Sequence, residues 1–170
     1  MSITLVLGGA RSGKSTLAEK FCVGPRTYIA TAQAFDDEMR ERVAAHKIQR
    51  GAGWHTVEAP LDLVGAITSN DALGQTILVD CITLWLSNLL LVEADCLAAV
   101  DQLVLCLQKA EANIVLVSNE VGLSIVPENK LARAFRDIQG IANQRVAAVA
   151  DNVVFVAAGL PLVLKGQLPK

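Results

Sequence analysis

Eight residues near the start of this chain constrain its architecture more than any other stretch. Gly8-Gly9-Ala10-Arg11-Ser12-Gly13-Lys14-Ser15 satisfies the phosphate-loop pattern G-x-x-x-x-G-K-[ST] at every required position. Such a loop works between a buried strand and a helix. Ile3–Leu7 is an apolar run of the strand type, and Lys14–Phe21 reads as the helix that follows. The glycines let the loop wrap closely enough for backbone N–H groups to face phosphate oxygens, and the helix N-terminus adds partial positive charge. Lys14 is expected to reach the β- and γ-phosphates of a nucleoside triphosphate, and the Ser15 hydroxyl to help hold Mg2+. Arg11 could touch phosphate or be solvated.

Further short apolar runs follow at Thr27–Ala30, Thr76–Asp80, Ile114–Ser118 and Val153–Ala157. Helical patterns lie between them, at Asp36–Arg50, Leu61–Ser69, Thr83–Leu91, Asp95–Ala110 and near Asn129–Ala150, where Leu131, Phe135, Ile138, Ala142 and Val149 form a stripe. Continuously apolar strands between helices predict a mainly parallel sheet with helices on both faces. Gly159 and Pro161 suit a turn into an added edge strand. There is no repeat, linker or composition break, so residues 1–170 are expected to form one domain.

A second acidic group is expected at the end of a buried strand, and Asp80 supplies it, as a ligand of Mg2+ directly or through water; a strand-end Asp also caps turns. Gly8, Thr31, Asp80 and Asn119 each sit at or just past the end of an expected strand, and in an open parallel sheet those ends share the edge where ligands bind. On an expected helix Arg42, His46 and Arg50 share one face. An imidazole flanked by guanidinium groups could attack phosphorus, although a helix carrying Arg, Lys, Glu and one His is usually just a solvated face. Trp54 reads most simply as core.

Taken together, these segments resemble the bifunctional adenosylcobinamide kinase / adenosylcobinamide-phosphate guanylyltransferase family of cobalamin biosynthesis, over nearly the whole length. The resemblance is carried by the loop at 8–15, Tyr28-Ile29-Ala30-Thr31-Ala32-Gln33 with Asp36-Asp37-Glu38-Met39, His46 with Arg50, Trp54 and Glu58, and Asp80-Cys81-Ile82-Thr83-Leu84 with Asn88-Leu89-Leu90. Ser118-Asn119-Glu120-Val121-Gly122, Ile125-Val126-Pro127-Glu128-Asn129, Leu131-Ala132-Arg133, Phe135-Arg136-Asp137 and Asn143-Gln144 complete it. The resemblance implies an α/β P-loop NTPase fold with a RecA-like sheet. It implies phosphorylation of the aminopropanol hydroxyl of adenosylcobinamide by ATP or GTP, then transfer of GMP from GTP to that phosphate, giving adenosylcobinamide-GDP. It places a guanylylated histidine at His46, with Lys14 beside it in catalysis. Nucleotide contacts fall on Gly8, Gly9, Ala10, Arg11, Ser12, Gly13, Lys14, Ser15, Thr31, Ala32, Gln33, Lys47, Ile48, Gln49, Arg50, Glu58 and Asp80, with Ser15 and Asp80 on the metal. It also implies a homotrimer. Some relatives carry Glu where Asp80 stands, and residues 95–112 match weakly and read as a surface helix.

Net charge is −2, which gives no support to bulk electrostatic binding of nucleic acid or an anionic membrane. No apolar run approaches the ~18 residues of a membrane-spanning helix. The N-terminal stretch lacks a basic n-region, so a cytoplasmic protein is expected. The four cysteines have no CxxC spacing and only two histidines accompany them, so they read as reduced small hydrophobes. The alternatives are a small-molecule kinase without nucleotidyl transfer, a RecA-like ATPase module acting on a macromolecule, and a nucleotide-binding regulator. Arg133, Arg136, Asn143 and Gln144 could line substrate, line a subunit contact or be solvated.

Overall fold

The computed structural model describes residues 1–33 and 53–169. Strands β1 (Ile3–Gly8), β2 (Arg26–Ala30), β3 (Trp54–Glu58), β4 (Thr76–Asp80), β5 (Asn113–Asn119), β6 (Asn152–Ala157) and β7 (Leu160–Lys165) form one sheet in the order β3-β2-β4-β5-β1-β6-β7. Every pairing is parallel except β6 with β7. The helices are α1 (Lys14–Lys20), α2 (Leu63–Asn70), α3 (Ile82–Leu91), α4 (Cys96–Lys109) and α5 (Lys130–Val149). The helix expected at Asp36–Arg50 lies outside the described residues.

Side chains alternate between the two faces of a strand, and the two apolar clusters follow that period. Ile3, Leu5, Leu7, Ile77, Val79, Ile114 and Leu116 point to the face covered by α2–α5. Val6, Tyr28, Leu78, Val115, Val117, Val154 and Val156 point to the face carrying Ala18 and Cys22 at α1. Strands apolar on both faces are stable only when both are covered, which is why the central strands read as unbroken apolar runs. Fully burying one such aliphatic side chain contributes about 1.5–3 kcal/mol.

Helix starts are set by local chemistry. The carboxylates of Asp62 and Asp95 accept from Gly65 N and Ala98 N at 2.9 and 3.0 Å, and Asn129 accepts from Leu131 N at 2.7 Å. The turn through Gly159 leads into β7 as expected, as an exposed antiparallel edge. Three expectations need correction. Trp54 packs against the second apolar cluster but is only half-buried, since edge strand β3 leaves its ring against the Arg26 guanidinium, 4.7 Å from the ring centre. Residues 95–112 are not merely a surface helix, because α4 buries Cys96, Val100, Leu103 and Leu107. On α5 the expected stripe holds at Ala142, which is buried, and at Phe135, Ile138 and Val149, which pack against the core, but Leu131 is exposed and Gln139, Asn143 and Val146 join the buried face.

Candidate functional site

All six parallel strands end at one edge, and the phosphate loop crosses it at the tip of β1. Gly8 pairs with Asn119 of β5, and Ala30 with both Asp80 and Glu58. The loop then enters α1, whose capping residue Gly13 has the left-handed φ of +93° and offers no side-chain cap. The first N–H groups of that helix are therefore left for an anion. Lys14 Nζ donates across the loop to the Gly9 carbonyl at 3.0 Å. Arg11 through Thr16 line a depression of about 330 Å3. Glycine at position 8 answers to crowding: a Cβ there would stand 2.5 Å from Ser12 Oγ and 2.7 Å from the Val156 carbonyl. The Gly159 N–H braces the loop from behind, donating to Ser12 O at 2.9 Å.

Asp80 lies half-buried at the tip of β4, its Oδ2 accepting from the Tyr28 hydroxyl at 3.1 Å. Thr31 is fully buried. Its hydroxyl donates to the Cys81 carbonyl at 2.7 Å and accepts from the Cys81 N–H at 2.8 Å, and its own carbonyl accepts from Asn88 Nδ2. Thr31 thus ties the ends of β2 and β4 together, its one hydroxyl proton spent on the Cys81 carbonyl. Ala32 and Gln33 continue along the edge, half-buried, and Glu58 closes it at the exposed end of β3. His46, Lys47, Ile48, Gln49 and Arg50 lie outside the described residues. Burial pushes the Cys81 thiol, next to Asp80, up to about 12, so it stays protonated and is no nucleophile.

The site includes residues that the motif reading had not singled out as contacts. Behind the tip of β5, Ser118 Oγ donates to Asn143 Oδ1 at 2.7 Å, and Gln139 Nε2 reaches Ser118 Oγ and Asn143 Oδ1 at 2.8 and 3.0 Å. Asn143 Nδ2 donates to the Asn119 carbonyl at 3.1 Å, and the Asn119 N–H donates to Thr83 Oγ1 at 2.8 Å. Asn143 is therefore neither solvated nor free for substrate. Gln144 is exposed, Arg136 stands 3.6 Å from Asp137, and Arg133 donates to the Pro127 and Glu128 carbonyls. The available signal was a polar triplet, Ser118-Asn119-Glu120, closing an apolar strand.

Residues 4–164 match the family described as cobinamide kinase / cobinamide phosphate guanyltransferase. The chain belongs to that family. It is 45% identical over 168 residues to the bifunctional adenosylcobalamin biosynthesis protein CobP of Pseudomonas aeruginosa, covering 96% of this chain and 97% of that one. It is 45% identical to CobU of Salmonella typhimurium, which bears the same description, covering 95% and 98%. Among solved structures, the fold is similar to a KaiC-like protein of Pyrococcus horikoshii, with a TM-score of 0.53, 14% identity and coverage of 99% and 81%. It is also similar to the P4 protein of bacteriophage phi6 in complex with ADP, with a TM-score of 0.51, 14% identity and coverage of 94% and 52%. Those two likenesses concern the fold, an α/β P-loop NTPase architecture. Among the described residues no helix is long and apolar enough to cross a membrane.

Proposed function

We propose that this family member carries out both of its family's reactions at the single edge described above, phosphorylating adenosylcobinamide and then transferring GMP from GTP to the product. The observation that carries the reading is the convergence of the phosphate loop, Asp80 and the β5 tip at the C-terminal ends of adjacent parallel strands. In both reactions Gly8–Ser15 hold the triphosphate, through backbone N–H groups and the Lys14 ammonium. Thr31, Ala32, Gln33, Lys47–Arg50 and Glu58 complete the nucleotide contacts, and Thr31 also ties the strand ends together from within. Either ATP or GTP serves the kinase step.

The Ser15 hydroxyl and the Asp80 carboxylate would hold Mg2+. They fit it in donor chemistry: both offer hard oxygen ligands, Ser15 lines the loop depression and Asp80 ends a strand at the same edge, and Mg2+ keeps waters and substrate phosphates as its other ligands. With Tyr28 engaging Oδ2, Asp80 keeps Oδ1 for that role. Mg2+ would neutralise charge on the phosphates.

For guanylyl transfer, His46 in its neutral form attacks the α-phosphorus of GTP and pyrophosphate leaves. An ordinary imidazole titrates near ~6.5, so this form is available at neutral pH. Lys14 and the loop amides stabilise the departing pyrophosphate, and the phosphate of adenosylcobinamide phosphate then displaces His46. GTP labelled at the α-phosphate should leave an acid-labile adduct that disappears in His46→Ala. A wild-type enzyme that turns over without any adduct refutes the covalent step.

The enzyme assembles as a homotrimer in the cytoplasm. Supporting association, Leu123, Ile125 and Val126 in the 120–129 loop and Leu160, Leu162 and Leu164 on β7 are exposed. All four cysteines are free thiols, as a reducing compartment leaves them. Light scattering should return three times the chain mass, and a monomer mass at working concentrations refutes the trimer.

A further inference from the structure

The kinase step needs a group to take the proton of the attacking alcohol. We propose that the Glu120 carboxylate is that general base. The proposal rests on the phosphate loop being the triphosphate site.

Geometry selects Glu120 among the acidic residues placed at this edge. Neighbouring strands lie about 4.8 Å apart. Glu58 ends β3, four strand positions from β1, or about 19 Å away by that spacing. Asp80 ends β4, two positions or about 10 Å away, and its Oδ2 is engaged by Tyr28. Glu120 follows β5, which is β1's immediate neighbour, and its N–H donates to the carbonyl of Gly8, the first residue of the loop, at 3.1 Å. A base must come within about 3 Å of the proton's oxygen, and a hydroxyl attacking a loop-bound γ-phosphate lies within reach of this residue.

The side chain is held ready. Oε1 accepts from the Gly122 N–H at 2.6 Å, and no bond among the described residues engages Oε2. A Cβ on Gly122 would stand 2.8 Å from Oε1, so glycine there leaves the carboxylate its place. The tip that carries it is rigid, because Thr83 and Asn143 hold both backbone groups of Asn119. An independent observation marks the same tip as a ligand site. Asn119 Oδ1 is buried without a partner among the described residues, in register beside Gly8. A buried acceptor left unpaired is unfavourable, and a ligand's donor relieves it.

In the step, the substrate oxygen forms a bond to the γ-phosphorus while its proton passes to Glu120. The bond from the γ-phosphorus to the β–γ bridging oxygen breaks, and the nucleoside diphosphate leaves with the electron pair. Glu120 then returns the proton to solvent. Guanylyl transfer needs no such base, since its acceptor is already an ionised phosphate. Glu120 therefore serves one of the two reactions.

The experiment compares Glu120→Gln with wild type in two assays on one preparation: phosphorylation of adenosylcobinamide from γ-labelled ATP, and guanylyl transfer to supplied adenosylcobinamide phosphate. General bases contribute about 100- to 10,000-fold, so kinase kcat should fall at least 100-fold, with guanylyl transfer within about threefold of wild type. Kinase activity within tenfold of wild type overturns the proposal, and so does an equal fall in both reactions. Should Glu120→Gln not fold, Glu120→Asp, which draws the carboxylate back by one methylene, must show the same selective loss of the kinase; an equal loss overturns the proposal. Lys14→Ala, which removes both reactions, separates failure of this proposal from failure of the phosphate-loop reading.

Discussion

Asn143→Ala and Gln144→Ala alter neighbouring amides and should behave as differently as two such changes can. Asn143 is buried, with three hydrogen bonds to its side chain. Its removal leaves the Ser118 hydroxyl without an acceptor inside the core, which costs about 1–3 kcal/mol. It takes from the half-buried Asn119 carbonyl its side-chain donor, worth about 1 kcal/mol. Gln139 Nε2 keeps Ser118 Oγ as a partner at 2.8 Å and adds little. The sum is about 3 kcal/mol, and in a chain of this size each kcal/mol moves Tm by about 2–4 °C, so a drop of about 6–12 °C is expected. Gln144 is exposed and should change stability by less than about 0.5 kcal/mol. Urea and thermal unfolding followed by circular dichroism measure both. If Asn143→Ala unfolds within 1 kcal/mol of wild type, the internal network is not what holds this amide, and a substrate or subunit contact becomes the better account.

Gly8→Ala drives a methyl against the Val156 carbonyl, which the β1–β6 ladder holds in place; it should destabilise by about 1–3 kcal/mol and weaken binding of a fluorescent triphosphate. Tyr28→Phe frees Asp80 Oδ2, so the Mg2+ concentration for half-maximal activity should rise while the rate at saturating Mg2+ recovers; an unchanged Mg2+ dependence refutes a positioning role for Tyr28. Burial raises the Cys22 and Cys81 thiols from 9.0 to about 12, so above pH 9 the unfolded chain releases protons that the folded chain keeps. Stability should therefore fall between pH 9 and about 12, and denaturation midpoints of a Cys22→Ala/Cys81→Ala variant should fall less over that range. Native alkylation at pH 8 should reach half-buried Cys106 first.

What the sequence made legible was local. The phosphate loop is a contiguous stretch whose chemistry is written in consecutive residues, and the central strands announce themselves because both faces are apolar. Strand β3 carries His55, Thr56 and Glu58 exposed on an edge, so Trp54–Glu58 has neither an apolar run nor a full alternation to betray it. On α5 the apolar stripe found Phe135, Ile138, Ala142 and Val149 but not Gln139 and Asn143, which also face inward. Amides go inside when partners from distant elements satisfy them, and Ser118 and Asn119 are more than twenty positions away. No spacing rule within one helix contains that information. The same holds for Glu120, whose tie to Gly8 spans most of the chain.

One loop serving α- and γ-phosphorus chemistry needs two nucleophile environments along one polyphosphate, and the topology separates their sources. The γ-side group rides on β5, adjacent to β1 and locked by a buried amide network. The proposed α-side imidazole, His46, belongs to the sequence between β2 and β3, the two strands farthest from β1 on that side of the sheet. The two sources are far apart in sequence, so each can be altered separately. Substitutions should accordingly sort into three sets: those at the β5 tip lose the kinase, those in 34–52 lose guanylylation, and those in Gly8–Ser15 lose both. A change at the β5 tip that abolished adduct formation at His46 while leaving phosphorylation intact would contradict this division, because the β5 tip would then serve the α-phosphorus chemistry and not the γ.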